Sequence, residues 1–316
     1  MLIVHVGTQK TGSSSIQHFL RENEGLLRDS GISYISAARN WSDHNKLARE
    51  LRSDDSDTPC ADEIVAEITA RGYDRYILSA EELFHKRVPG RLFDHLTRHL
   101  DMEVRIVCYL RRPDHLMEAL YKQRVKTGSI KPWPLRYLDA SKWECDYLPV
   151  LDAFADRFGM ENITVRPYAR PSLKDGDIVA DFLDVTGLRM NGSPTRSMPE
   201  DNPTFSSAVS EMMGFCVRNS DIRFIDLNER IAGLDWPNLK KSGDVYNRAT
   251  RLRLLEELEP GLREIARRYG EDLWQTLSFD DLREGGSFAF PSEHDRAELA
   301  LQAGKAVLFA AMRLKG

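Results

Sequence analysis

Five short runs of apolar and β-branched residues interrupt the first two thirds of the chain, and each has the length of a β-strand. They are LIVHV at 2–6, ISYIS at 32–36, RYILSA at 75–80, VRIVCYL at 104–110 and NITVRPY at 162–168. Segments with helical periodicity lie between them, at 14–29, 61–71, 90–100, 113–127 and 145–158. Strands that alternate with helices predict parallel β-α-β units. The expected fold class is therefore α/β, with a central parallel sheet flanked by helices.

The pattern changes around residue 186. Residues 189–204 hold three prolines and several turn formers, which predicts a loop. Helical patterns follow at about 204–218, 247–269 and 292–314. The stretches 219–246 and 277–291 are irregular. We therefore expect residues 1–190 to form the α/β core and residues 191–316 to form a mostly helical extension packed on it.

Composition excludes several classes of protein. The chain has 316 residues and a net charge of −5, so it has no bulk attraction for nucleic acids and any basic site must be local. No apolar run approaches the roughly 18 residues of a membrane-spanning helix. The four cysteines (Cys60, Cys108, Cys145 and Cys216) form no C-x-x-C pair, which favours a reducing compartment. We expect a cytoplasmic protein with no nucleic-acid partner and no membrane span, and the oligomeric state stays open.

The first strand runs into a loop that is typical of phosphate binding. Gly7 and Gly12 have the spacing of the G-x-x-x-x-G-K-[ST] loop, and Ser14 takes its Ser/Thr position. Ser13, however, replaces the lysine of that pattern. Backbone N–H groups and the positive end of a helix dipole bind anions at such a connection. The lysine lies inside the loop, at Lys10, which suits a ligand held at one 5′-phosphate rather than a triphosphate.

The segment from Lys10 to Ser14 resembles the 5′-phosphosulfate loop of sulfotransferases that use 3′-phosphoadenosine-5′-phosphosulfate (PAPS). That loop reads roughly P-K-[ST]-G-[ST]-[ST]; five positions match here, and Gln9 replaces the frequent proline. The resemblance implies that Lys10 neutralises the oxygen between phosphate and sulfate, and that Ser14 and its neighbours hold the 5′-phosphate. It also implies PAPS as donor and 3′-phosphoadenosine-5′-phosphate (PAP) as product, with no metal required. The candidate cofactor-binding residues of the loop are Gly7, Thr8, Gln9, Lys10, Thr11, Gly12, Ser13, Ser14 and Ser15.

A second anion-binding element is implied by the same resemblance. In the family a strand is followed by an arginine and, eight positions on, by a serine, and both hold the 3′-phosphate; here these positions are Arg111 and Ala119. The alanine is a departure that removes a contact worth roughly 1.5–3 kcal/mol to a charged group. The candidates to replace it are Arg112, Tyr121 and Lys122. The family also carries an aromatic residue beside the adenine, near the position of Tyr168.

Two residues are candidates for the catalytic base that takes the proton of an acceptor hydroxyl. Sulfotransferases place a His or Glu after the strand between the two anion-binding elements, and here Glu81 follows RYILSA. His44, in the polar loop NWSDHNKLA, has an ordinary pKa of about 6.5 that suits base chemistry. Both stay open as catalytic residues, together with Lys10.

The resemblance therefore implies a sulfotransferase that moves the sulfuryl group of PAPS to a hydroxyl of a carbohydrate or small metabolite. It covers about residues 1–190, and the helical remainder is a candidate for acceptor specificity. Two other functions stay open. One is a P-loop kinase with a degenerate loop, which would depend on magnesium. The other is a non-catalytic nucleotide-binding protein on the same scaffold, which Ala119 favours.

Overall fold

A single parallel sheet organises the first part of the protein. The computed structural model describes residues 1–54, 57–196, 204–236, 239–284 and 290–312. The strands in these residues are β1 (Leu2–Gly7), β2 (Ile32–Tyr34), β3 (Arg75–Ser79), β4 (Val104–Leu110) and β5 (Ile163–Pro167). They pair in the order β2-β3-β1-β4-β5, and every neighbouring pair is parallel. The predicted α/β class with a central parallel sheet is confirmed, as is the position of each predicted strand.

Most of the remaining described residues form helices. In the described residues they are α1 (Ser13–Glu22), α2 (Glu24–Asp29), α3 (Asn45–Arg52), α4 (Pro59–Ala70), α5 (Val88–His99), α6 (Pro113–Lys126), α7 (Pro134–Ser141), α8 (Leu148–Phe158), α9 (Ile178–Thr186), α10 (Ser207–Asn219), α11 (Phe224–Ala232), α12 (Arg248–Tyr269), α13 (Asp272–Leu277), α14 (Asp280–Arg283) and α15 (Glu293–Met312). None of these helices combines the length and the apolar character needed to cross a bilayer.

Some helix predictions need correction. The pattern at 14–29 is two helices, α1 and α2, because the chain breaks at Asn23, whose side-chain amide donates to the carbonyl of Phe19. The stretch 219–246 was expected to be irregular and instead contains α11. Helix α3 is also present in the polar segment that holds His44. It was missed because its sequence is dominated by charged side chains around a narrow apolar face.

The central strands are buried on both faces. Every residue of β1 is buried, as are residues 106–110 of β4, which explains their nearly continuous apolar sequences. A hydrophobic cluster joins Ile3, Ile16, Tyr109 and Phe182, and so packs α1 and α9 against these strands. This packing holds the first turn of α1 at the carboxyl edge of the sheet.

The chain divides into two compact units. Unit 1 consists of Met1–Arg112, Asp146–Pro199 and Gly261–Ser278 and contains the sheet. Unit 2 consists of Pro113–Cys145, Glu200–Pro260 and Phe279–Gly316 and is helical in its described residues. The predicted functional division, with PAPS binding in residues 1–190 and acceptor specificity in residues 191–316, stays a prediction.

Within unit 2, α10 packs closely on α6 at Gly214. A Cβ atom added there would lie 1.9 Å from the carbonyl oxygen of Val125, so this crossing tolerates only glycine. On the other side, Val209 and Met213 of α10 share a core with Ala303 and Val307 of α15. Unit 2 therefore has a hydrophobic core of its own.

A buried charge network also holds unit 2 together. Arg251 is 1% exposed and donates to Asp114 at 2.8 Å and to Glu118. The ammonium of Lys122 lies 3.1 Å from Glu118 and 2.5 Å from Asp244. Removing one member of such a network leaves an uncompensated buried charge, at a cost of roughly 3–5 kcal/mol. Much of the basic character of α6 is therefore structural.

Candidate functional site

Strand β1 ends at Gly7, directly against the backbone of Glu81. Gly7 has a φ of 101°, and a Cβ atom there would lie 2.8 Å from the Cα atom of Glu81. Glycine alone tolerates both this backbone angle and this close approach. Since β1 and β3 are parallel neighbours, the loop after β1 meets the carboxylate after β3 at the carboxyl edge of the sheet. Ligands bind at this edge in parallel sheets.

Two threonines brace the loop from inside. Thr8 is 3% exposed, and both its backbone N–H and its hydroxyl donate to the carbonyl of Tyr109, at 3.0 and 3.1 Å. The hydroxyl of Thr11 donates to the carbonyl of Thr8 at 2.6 Å. These hydroxyls therefore fix the shape of the loop, and a role of Thr8 or Thr11 in cofactor binding would fall to their backbone groups.

The first turn of α1 opens toward the same edge. Gly12 precedes the helix with a φ of 80°, and no side chain forms a capping hydrogen bond at this end of the helix. Ser13 is buried and Ser14 is exposed in this first turn. The N–H of Ser15 donates to the Gly12 carbonyl at 3.0 Å, whereas the N–H groups that precede it in a helix have no acceptor within that helix. A Cβ atom on Gly12 would lie 3.1 Å from Ile178 and 3.3 Å from the ring of Tyr168. The loop is thus closely packed on its neighbours, and its N–H groups with the helix dipole favour an anion.

Arg111 links the second predicted element to the loop. Its guanidinium donates to the carbonyl of Lys10 at 3.2 Å, and its Cζ atom lies 6.0 Å from the centroid of the Tyr168 ring. The hydroxyl of Tyr147 donates to the Arg111 carbonyl at 2.7 Å, which fixes the backbone at the end of β4. Residues separated by about a hundred positions in sequence therefore meet in one place.

The ammonium of Lys10 experiences both neighbouring charges. Burial lowers the pKa of Lys10 from its ordinary value, the carboxylate of Glu81 opposes this change, and Arg111 adds to it. Lys10 also has a φ of 60°, an uncommon angle for a residue with a side chain. A bound phosphate would act as Glu81 does and favour the charged ammonium. The loop therefore presents a cation that an anionic ligand would stabilise.

Glu81 is held by two amide side chains. Gln17 donates to one carboxylate oxygen at 2.9 Å, and Asn45 donates to the other at 3.0 Å. The Asn45 side chain also accepts the backbone N–H of Glu82 at 3.2 Å. Both amide residues are at least nine-tenths buried, so the carboxylate has a defined orientation. Since an ionised carboxylate has about four acceptor positions, two stay open to other donors.

His44 lies in the core and not in an exposed loop. It is 0% exposed, its Nε2 atom lies 3.0 Å from the carbonyl oxygen of Ile35, and its Nδ1 atom lies 3.3 Å from the backbone nitrogen of Ser79. Burial lowers the pKa of His44 to about 4. Because backbone groups occupy both ring nitrogens, neither nitrogen can take a proton from a bound substrate. His44 was expected in a polar loop and lies instead in the core. Of the two candidates for the catalytic base, the geometry favours Glu81.

Arg112 and the other proposed substitutes for the family's serine have structural partners. Arg112 is 8% exposed, and its guanidinium donates to the carbonyl of Ser278 at 3.3 Å. Tyr121 donates to Glu211 at 2.9 Å, and Lys122 takes part in the buried network of unit 2. Arg111 is therefore a better candidate for a second phosphate contact than any of these three residues.

Sequence reasoning missed Gln17 and Asn45. Neither residue belongs to the phosphate-loop pattern, and amide side chains are common on helices and in loops. Gln17 faces Glu81 only because α1 is packed against the sheet, and Asn45 does so because α3 begins beside β3. No signal in a single sequence predicts either contact.

Comparisons with known proteins add limited information. No family model matches the chain. An uncharacterized protein of Archaeoglobus fulgidus is 33% identical over 112 residues, which are 34% of this chain and 29% of that protein. The chain thus spans less than a third of the length of this relative. The crystal structure of a sulfotransferase from Alicyclobacillus acidocaldarius covers 89% of this chain and 98% of its own, with 14% identity and a TM-score of 0.48. At these values the likeness does not identify a function for this chain.

Proposed function

We propose that the protein is a sulfotransferase that takes the sulfuryl group from PAPS and releases PAP. The observation that carries this proposal is the meeting of Lys10, Glu81 and Arg111 at the ends of three strands of one sheet. Lys10 lies close enough to both other charges to have its pKa changed by them. Arg111 also touches the Lys10 backbone directly. A cation inside the loop, a second cation beside it and an oriented carboxylate suit transfer from a mixed anhydride.

The donor would bind along the loop and across to β4. The N–H groups of the first turn of α1, with Ser13, Ser14 and Ser15, would hold the 5′-phosphate. Arg111 would take the 3′-phosphate by a charge-assisted hydrogen bond. Tyr168, which packs against Gly12, would lie beside the adenine, as the resemblance implies.

The chemistry needs one base and one cation. The acceptor oxygen attacks sulfur and forms a new S–O bond while the bond from sulfur to the 5′-phosphate oxygen breaks. The acceptor proton goes to the open side of the Glu81 carboxylate, which Gln17 and Asn45 keep oriented. The electron pair of the broken bond stays on the phosphate, where Lys10 stabilises the developing charge. The acceptor would be a carbohydrate or a small metabolite.

The decisive experiment combines binding with transfer. Calorimetric titration with PAP measures donor-site binding, and transfer of labelled sulfate from PAPS to a panel of acceptors measures turnover. Lys10→Met should reduce transfer by about 10²–10³-fold, because one preorganised charge at the leaving group is lost. Lys86→Met, at an exposed position, is the control and should leave transfer unchanged.

Other outcomes would separate the rival functions. Tight PAP binding without transfer to any acceptor would favour a non-catalytic nucleotide-binding protein. Magnesium-dependent consumption of ATP without PAP binding would favour a P-loop kinase. Near-normal sulfate transfer by a folded Lys10→Met variant would remove Lys10 from the mechanism.

A further inference from the structure

An exposed tryptophan lies in the segment that leads into α3, four residues before Asn45, which contacts the candidate base. Trp41 is 62% exposed, although tryptophan usually buries most of its surface. It also has a φ of 50°, which is a rare and costly angle for a bulky residue. Burial does not offset this cost, since most of the side chain lies in solvent. Uncompensated strain of this kind is a reason to look for a function.

The backbone holds Trp41 in a fixed position. Asn40 and Asp43 exchange two backbone hydrogen bonds, of 2.7 and 3.1 Å, and so close a four-residue turn with Trp41 at its tip. The carbonyl of Ser42 accepts the hydroxyl of the buried Tyr34. The indole is thus exposed but attached to a well-braced turn, which lowers the entropy cost of using it as a binding surface.

Two side chains of α1 support the indole. The Cζ atom of Arg21 lies 4.2 Å from the centroid of the Trp41 ring, and the His18 ring lies 4.6 Å away, nearly perpendicular to it. Because these residues are three positions apart on one helix, they approach the indole from the same side. Trp41 stays 62% exposed despite these two contacts.

Arg21 brings a guanidinium with one unsatisfied nitrogen to the edge of this surface. Its Nη1 atom is buried and has no hydrogen-bond partner among the residues that the structure describes. A charged donor without a partner is costly, and an oxygen atom of a ligand would satisfy it. The surface therefore combines an apolar ring face with a cationic donor at its margin.

The same two segments connect this surface to Glu81. On α1, Gln17 contacts Glu81, and Arg21, four residues later, contacts Trp41. Asn45, the first residue of α3, also contacts Glu81 and lies four residues after Trp41. Four residues of an α-helix advance about 6 Å along its axis, so the two contacts on α1 are separated by little more than one turn. Trp41 and Glu81 are thus linked through the same two segments of the chain.

We infer that Trp41, with Arg21 beside it, forms the platform on which a saccharide acceptor lies while its hydroxyl reaches Glu81. This inference rests on the proposed function and names its acceptor class. The apolar C–H face of a pyranose ring packs on the open face of the indole, whose quadrupole favours such contacts. A hydroxyl or carboxylate oxygen of the sugar accepts from Arg21. The platform thereby selects a ring-shaped acceptor and orients it.

Trp41→Ala and Trp41→Phe test this inference, with Trp133→Ala as a matched control. Trp133 is 53% exposed and also has an arginine over its ring, Arg136 at 5.2 Å, but it belongs to unit 2. The probes are methyl β-glucoside, methyl β-glucuronide and phenol, titrated by ligand-observed NMR with and without PAP. We expect at least one glycoside to bind, at least tenfold weaker binding in Trp41→Ala, and partial recovery in Trp41→Phe. The control should bind as the wild type does.

The readouts separate failure of this inference from failure of the proposed function. PAP affinity should change less than twofold in every variant, and the KM for a glycoside acceptor should rise in Trp41→Ala with little change in kcat. Equal glycoside binding by Trp41→Ala and the control would overturn the platform, as would binding of phenol alone or of no probe. Loss of PAP binding by the wild type would instead remove the sulfotransferase proposal, and the glycoside titrations without PAP would still decide the role of Trp41.

Discussion

Gly7 and Glu81 are in closer contact than any side chain at position 7 would permit. A Cβ atom on Gly7 would lie 2.8 Å from the Glu81 Cα atom and 3.0 Å from its carbonyl oxygen. The backbone of the phosphate loop and the backbone that carries the carboxylate therefore touch directly. The position of the candidate base is set by the loop itself, with no flexible side chain between them.

Gly7→Ala should consequently destabilise the protein by at least about 2 kcal/mol, because it adds an overlap to an unfavourable φ of 101°. Urea unfolding measures the change. Gly25→Ala is the matched control, since a Cβ atom there meets nothing within 4 Å and Gly25 lies in α2. The control should be neutral or stabilising by up to about 1 kcal/mol. Equal stability of the two variants would contradict the close contact.

Glu81→Gln should reduce the turnover of sulfate transfer by about 10²–10⁴-fold, because the acceptor proton loses its base. PAP affinity should stay within about threefold, since the mutated side chain is assigned to the acceptor. Glu82→Gln is the control: this adjacent carboxylate pairs with Arg52 and has no assigned role. Turnover by Glu81→Gln within threefold of the wild type would exclude Glu81 as the base.

Arg111→Met should weaken PAP binding by about 10–100-fold while affecting AMP much less, because only PAP has a 3′-phosphate for the guanidinium to bind. Calorimetry with both nucleotides gives the ratio of their dissociation constants. Arg111→Lys retains the charge, and its PAP affinity should lie between those of the wild type and Arg111→Met. Arg105→Met, at an exposed residue paired with Glu103, should leave the ratio unchanged. Equal losses of affinity for PAP and AMP would show that Arg111 supports the structure of the loop and does not bind the 3′-phosphate.

His44 should make stability depend on pH. Burial lowers its pKa to about 4 in the folded protein, against about 6.5 in the unfolded chain. The unfolded state therefore binds more protons between these values, and the free energy of unfolding falls as the pH decreases from about 6.5 to 4, by roughly 3 kcal/mol for this residue. His5, whose pKa burial lowers to about 3, should add to the same trend.

Urea unfolding of His44→Gln between pH 4.5 and 7.5 measures this contribution. The variant should show a shallower decline than the wild type, because the His44 imidazole no longer takes up a proton on unfolding. His294→Gln, at an exposed position, should follow the wild type. Parallel pH profiles of His44→Gln and the wild type would show that His44 does not cause the dependence.

The phosphate loop illustrates how far local sequence can be used. The strand, the two glycines and the serine-rich helix start are encoded within residues 2–15, and the structure has a strand, a loop and a helix there. The resemblance to sulfotransferases implies Arg111 at the end of a strand, and parallel pairing of β1 with β4 brings it to Lys10. The loop thus depends on a short-range pattern, and Arg111 on the resemblance together with a simple rule of sheet geometry.

His44 and Arg112 show where that reasoning ends. Both are polar residues in polar or basic segments, yet His44 is enclosed by β2 and β3, and Arg112 is bound to the backbone of Ser278. Whether such a side chain faces a ligand or the core depends on contacts with residues far away in the chain. A single sequence contains no record of those contacts.

The alternation of apolar strands and helices by itself determined the parallel sheet, since each buried strand needs helices on both faces. Glycine spacing likewise determined the loop between β1 and α1, because backbone angle is a local property. Only the tertiary structure decided that Gln17 and Asn45 orient Glu81, that His44 is in the core, and that Trp41 stands exposed beside the site. Those outcomes depend on how helices pack against the sheet, and packing is a property of the whole folded chain.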